Sequence, residues 1–386
     1  MQVQNTLRNA LAVLLVVSSA SLAPPAAAAA AEPRQLDRPF PAAKRQAIDS
    51  AVNQAFAATK APGVVVGVWV QGEGAYVAAK GFADIKSKQP MRSSYYFRIG
   101  SITKTFTVTV LLQLADEKKV SLDDPVSKYV DFVPNGENIT LRELANMTSG
   151  LYNYTEDDAW VKLAFSDFGR RWKPRELIDV GISHPPYFAP GTGFHYSNTN
   201  TVLLGMIIEK VTNNWIHDVF ADRIFKPLHL RHTVWPAGSA WPGPHARGIT
   251  EQTLTGVRAD ATDRNPSWAF TAGELISTMG DLRIWVQSYT NGTLVSPEMQ
   301  KQRLTWVTFP PNTPEKRYGL GIGEDHGWLG HTGELPGYNT AAYYLPEKKA
   351  TIVVMVNSDI AVNGANPAPT IAKALARVVS PNNVPE

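Results

Sequence analysis

With 386 residues, 44% hydrophobic and 18% charged, the chain has the composition of a folded protein of one large or two medium domains. Its 37 basic and 34 acidic residues leave a formal charge of +3 without a long Lys/Arg run, which argues against a nucleic-acid partner. The complete absence of cysteine excludes disulfides, a thiol nucleophile, thiol-linked lipid and Cys-based zinc; metal sites from His and carboxylates remain open, although no His-Glu-x-x-His occurs, and no cofactor is expected.

Arg8, the apolar run Ala10 to Val17 and the small residues up to Ala31 form the pattern of a signal peptide, too short for a stable bilayer anchor. Residues 1–31 are therefore read as a leader. The mature protein is expected to be exported (periplasmic or secreted), with no membrane span once the leader is removed. Ile48, Val52, Ala55 and Phe56 predict an amphipathic helix over Pro41–Thr59, broken by Ala61-Pro62-Gly63. Gly63–Val70 and Gly74–Gly81 read as strands joined by the turn Gln71–Gly74, and Tyr95–Ile99 as a further short strand.

Ser101–Glu117 is strongly helical in pattern. Helices and Pro/Gly-rich loops follow to about Gly256, with Leu141–Met147 and Thr199–Val211 the clearest helices and Gly238–Asn265 irregular. Tyr338–Leu345 and Ala350–Asn357 predict paired strands around Pro346–Lys349, and Pro369–Val379 a closing helix. Strands at both ends with helices between them predict a mixed α/β fold. Its antiparallel sheet, flanked by helices, would come from residues 32–100 and 265–386. A mainly helical domain would span 101–264, with a substrate cleft between the two.

Three short motifs fall at junctions of these elements. Ser101-Ile102-Thr103-Lys104 is the chain's single Ser-x-x-Lys, and residues three apart on a helix share a face. A serine hydroxyl needs a base, and lysine serves as one when burial or nearby positive charge lowers its pKa. A plain N-cap serine with a solvated lysine is the competing reading, but a cation in the first helical turn opposes the macrodipole. Tyr196-Ser197-Asn198 sits between the turn Pro190–Gly193 and a helix start, where Tyr196 can shuttle protons and Asn198 can orient both the lysine and a substrate amide. The second Tyr-x-Asn, Tyr289-Thr290-Asn291, ends a helix at Asn291-Gly292 and reads as structural. His331-Thr332-Gly333 precedes a predicted strand. There Gly333 permits close backbone approach, Thr332 can bind a carbonyl or carboxylate, and Glu334 and Ser101 can offer N–H groups to an oxyanion.

In that order the three motifs resemble those of the penicillin-recognising serine enzymes, the class C β-lactamases and DD-carboxypeptidases, with their esterase relatives. The resemblance runs from about Ala61 to Val379. It includes Phe97-Arg98-Ile99-Gly100, Leu122-Asp123-Asp124-Pro125, Gly150-Leu151-Tyr152 and Tyr318-Gly319-Leu320-Gly321. It implies a sheet domain with a helical one, acyl-serine chemistry without metal, Trp268 as a pocket wall, and His331 in the binding edge. One position departs from the pattern. Such carboxypeptidases are expected to carry a basic clamp shortly after Tyr-Gly-Leu-Gly, whereas here Ile322 is followed by Gly323, Glu324 and Asp325, with Arg317 earlier. The expected substrates, in order, are a D-alanyl peptide, a small ester or amide, and a β-lactam. A non-catalytic penicillin or peptidoglycan sensor is the alternative of another class.

Overall fold

Gly63–Val70 is apolar at every position, the pattern of a strand covered on both faces, and all eight residues are buried. In the computed structural model, which describes residues 38–308 and 316–385, this strand lies inside a large sheet. The leader expected over residues 1–31 lies outside the described residues. Among those described, the sheet has nine strands in the order 89–90, 74–84, 63–70, 350–356, 338–345, 328–335, 323–325, 316–318, 307–308. Every pairing is antiparallel, with Val66 opposite Val354 and Thr340 opposite Met355. The two chain ends thus meet in mid-sheet, as the mixed α/β reading expected.

Alternation along the strand sends its side chains into two cores. Val64, Val66, Val68 and Val70 join Ile48 and Val52 of the helix Ala42–Thr59, and Ile371 and Leu375 of the helix Pro367–Val379. Val65 and Trp69 face the other way, into a larger core that contains Phe106, Leu203 and Trp285 from the intervening helices. That core anchors the helix Thr103–Asp116. Phe106 stacks on Trp285 with centroids 3.9 Å apart, and the Trp285 indole donates to Thr105 Oγ1 at 2.7 Å. Trp285→Ala should therefore cost about 3–5 kcal/mol of stability, read as a lower urea midpoint at unchanged slope. Among the described residues no helix is long and apolar enough to cross a membrane.

Several sequence expectations need correction. The strand predicted over Tyr95–Ile99 shrinks to Phe97–Arg98, paired outside the large sheet with Ile276–Ser277. It ends at Ile99, which leaves the extended region with φ −101° and ψ 0°, and Gly100 then turns the chain with a φ of +51°. The helix predicted over Leu141–Met147 stops at Ala145, because the Asn146 side chain accepts from the Thr148 N–H and hydroxyl in a tight turn. Residues 238–265, by contrast, are irregular as expected, an extended loop with one two-residue ladder, Ile249–Thr250 against Ala259–Asp260. His331 does not precede a strand: it lies within Trp328–Leu335.

Candidate active site

Ser101 occupies a short 3-10 turn, Gly100–Ile102, that leads directly into the helix Thr103–Asp116. One turn on, Lys104 is fully buried, with its Nζ 2.9 Å from Ser101 Oγ. The amine also donates to Asn198 Oδ1 at 2.7 Å and to the Ala272 carbonyl at 2.8 Å. Burial holds the lysine pKa well below its ordinary value. That shift favours the neutral amine, which the same three contacts can accommodate. Its two N–H groups go to Asn198 and Ala272, which can only accept, and its lone pair is left to take the Ser101 hydroxyl proton.

Asn198 opens the helix Asn198–Thr212, and two residues hold its amide in that orientation. Its Nδ2 donates to Thr155 Oγ1 at 3.1 Å and Asn153 Oδ1 at 3.3 Å, while its backbone N–H donates to Asn153 Oδ1 at 3.0 Å. Oδ1 therefore faces the lysine. Sequence reasoning missed Asn153 and Thr155 as positioning residues. The only signal available was a polar pair following the Gly150-Leu151-Tyr152 stretch.

Tyr196 stands on the opposite side, its ring centroid 4.9 Å from Lys104 Nζ. Its hydroxyl is buried and has no hydrogen-bond partner among the described residues, so it is not the backbone-tied phenol of a structural tyrosine. Burial raises its pKa, and the nearby Ser101 hydroxyl pulls in the other direction. A neutral phenol beside a serine and a neutral amine can relay a proton between them.

The strand Trp328–Leu335 closes the site. The neighbouring strand Gly323–Asp325 reaches only Trp328–Gly330 of it, so the part carrying Thr332, Gly333 and Glu334 is unpaired on that side and faces the serine turn. The approach is close. A Cβ on Gly333 would lie 1.8 Å from the Ile99 carbonyl oxygen, and one on Gly100 would lie 2.4 Å from the Glu334 nitrogen. Only glycine fits either place, and the backbone N–H groups of Ser101 and Glu334 are brought to neighbouring positions.

His331 is buried and its pKa is pushed down to about 4 by burial. The Tyr318 hydroxyl donates to its Nε2 at 3.0 Å, and its Nδ1–H donates to the Thr332 carbonyl. It is neutral at pH 7 and cannot supply positive charge to a substrate. Arg317 is also committed, its Nε donating to Glu324 Oε2 at 2.7 Å. His331 is thus no cation, and the charge of Arg317 is paired with Glu324.

Two cavities meet at Ser101. One of about 240 Å³ is lined by Asn198, Trp268, Gln252 and Glu334. The other, about 510 Å³, is lined by Tyr196, Arg317, Glu324, His331 and Thr332, and shares Glu334. Trp268 serves both as cavity wall and as packing, since it also lies 5.7 Å from Trp160 in an aromatic cluster. The elements thus bring Ser101, Lys104, Tyr196, Asn198, Thr332 and Glu334 around one opening.

Fold and sequence together define a β-lactamase-fold serine hydrolase. The Beta-lactamase family model matches residues 48–376, and the chain belongs to that family. Among solved structures it is similar to a D-stereospecific amidohydrolase from Streptomyces sp., at 34% identity and TM-score 0.78, covering 86% of this chain and 98% of that one. It is also similar to the D-amino acid amidase from Ochrobactrum anthropi SV3 complexed with D-phenylalanine, at 26% identity and TM-score 0.77, covering 87% and 98%. A D-aminopeptidase from Cereibacter sphaeroides is 25% identical over 330 residues, covering 83% of this chain. The chain spans between 61% and 63% of the length of the curated relatives it matches.

Proposed function

We propose that the protein is an amidohydrolase that cleaves small D-configured aminoacyl amides or peptides through an ester on Ser101. Lys104 takes the hydroxyl proton as Oγ attacks the carbonyl carbon, and the N–H groups of Ser101 and Glu334 receive the oxyanion. Tyr196 and Lys104 return a proton to the leaving nitrogen as its bond to carbon breaks, and the amine departs. Water, deprotonated through the same pair, then attacks the ester and restores the serine. The leader read in residues 1–31 would have this chemistry take place outside the cytoplasm.

The observation that carries the substrate class is the Arg317–Glu324 pair on the wall of the larger cavity. A leaving group with a free carboxylate needs a charged partner on entering such a cleft, or its desolvation costs several kcal/mol. Glu324 already holds Arg317, Gly323 offers no side chain, and the other basic residue of that wall, Lys316, shares it with a second carboxyl, Asp325. A neutral leaving group suits this cavity, in keeping with the amidohydrolase and amidase activities named for the structural relatives.

Rates on D-phenylalanine amide and on a D-Ala-D-Ala peptide with a free carboxylate test the reading. The amide should win in kcat/KM; a tenfold preference for the carboxylate, about 1.4 kcal/mol, would overturn it. A companion variant makes the same point in reverse. A Cβ at Gly323 would meet nothing nearer than the Gly330 carbonyl oxygen at 3.4 Å, so the site has room for a side chain. Gly323→Arg is expected to raise kcat/KM on the carboxylate-terminated peptide relative to the amide by about tenfold.

A further inference from the structure

The two cavities at Ser101 take different halves of a substrate. The leaving nitrogen must collect its proton from the Tyr196 side, and Tyr196 lines the larger cavity, so that cavity receives the leaving group. The smaller cavity, with Asn198 and Trp268, then receives the acyl portion. Its lining residues include Trp268, Tyr154, Asn198 and Gln252. Among its described lining residues, Glu334, which also borders the larger cavity, carries the only group that is charged at neutral pH when free in water.

That carboxylate is held entirely by neutral donors. Gln252 Nε2 donates to Oε1 at 3.0 Å, while Asn366 Nδ2 and Asn339 Nδ2 donate to Oε2 at 3.0 and 3.2 Å. No described basic side chain lies within 4 Å of it. The second carboxylate nearby, Asp359, shares Gln252 Nε2 at 2.7 Å and adds negative potential instead of neutralising it. Burial, and then Asp359, push the Glu334 carboxyl up to about 7. A cation arriving beside it would be welcomed on both counts, because it relieves the repulsion and favours the ionised form. Trp268 also lines this cavity, and aromatic rings attract ammonium groups.

We propose that the Glu334 carboxylate is the specificity-determining anion of the acyl cavity, selecting substrates that carry a primary ammonium on the acyl portion. This rests on the amidohydrolase reading above and goes beyond the backbone role given to Glu334 there. The ammonium has two sources, a free α-amino group or a basic side chain, and both present the same chemistry to a carboxylate.

Four p-nitroanilides separate the cases. D-phenylalanine p-nitroanilide is compared with its Nα-acetyl derivative, and Nα-acetyl-D-lysine p-nitroanilide with Nα-acetyl-D-norleucine p-nitroanilide. In the wild-type enzyme the charged member of at least one pair should lead in kcat/KM by tenfold or more; the first pair reports an α-ammonium and the second a side-chain ammonium. Glu334→Gln should bring that ratio to within about twofold, and Glu334→Asp should retain most of it. A purely structural Glu334 would lower both members together and leave the ratio unchanged. Equal rates within both wild-type pairs would overturn the proposal, as would a preference that survives Glu334→Gln. If the glutamine variant does not fold, the wild-type ratios and the Glu334→Asp ratio still decide. Failure of the wild type to release nitroaniline from all four would remove the amidohydrolase reading itself, and this assignment with it.

Discussion

Lys104→Arg is expected to lower kcat by at least about a hundredfold, nearly as far as Lys104→Ala, although it keeps a cation beside the serine. The reason lies in the three contacts of Nζ. Asn198 Oδ1 and the Ala272 carbonyl only accept, so they use two N–H groups and leave a neutral amine its lone pair for the Ser101 proton. A guanidinium does not lose its proton and has no lone pair to offer. The wild-type rate should also rise with pH through a limb well below the usual lysine range, because burial disfavours the ammonium. Steady-state kinetics from pH 5 to 10 would show that limb in the wild type and its absence in the arginine variant. A near-native arginine variant would reduce Lys104 to a fixed charge.

The same burial has a consequence for stability. A lysine whose folded pKa lies below its unfolded one binds fewer protons when folded, so it opposes folding at neutral pH. That penalty fades as the pH rises towards the unfolded value near 10.4. The buried amine is thus kept at a thermodynamic cost, as expected of a site tuned for chemistry instead of stability.

Ser101→Ala is expected to reduce turnover by at least about a thousandfold while leaving the fold in place. Ser101 is partly exposed at the junction of two cavities and contributes little packing; its neighbours Ile102 and Phe106 fill the core. Near-wild-type thermal unfolding with turnover lost is the expected pair of observations. Residual activity above a few per cent would move the nucleophile elsewhere.

Much of this site can be read from the chain because its parts are local. Ser101 and Lys104 stand three apart at a helix start, so their adjacency follows from helix geometry alone. The unbroken apolar run Gly63–Val70 likewise matches a strand covered on both faces. What could not be read depends on residues remote in sequence. Asn153 and Thr155 hold Asn198 from more than forty positions away, and the carbonyl that completes the lysine's contacts belongs to Ala272, whose side chain carries no sign of it. The strands Val307–Thr308, Lys316–Tyr318 and Gly323–Asp325 are too short, and two of them too charged, to show an apolar pattern. The Glu334 side chain is the clearest case. Its backbone place follows from Gly333, but its partner Gln252 lies in the loop 238–265, where no periodicity pointed to the cleft.

The most direct test of the acyl-serine mechanism is the mass of the protein after reaction with an alkyl fluorophosphonate. The wild type should gain the mass of one phosphonyl group, and proteolysis should place it on the peptide containing Ser101, while Ser101→Ala gains none. An unmodified wild type, or an adduct that persists in the alanine variant, would contradict a covalent mechanism at Ser101.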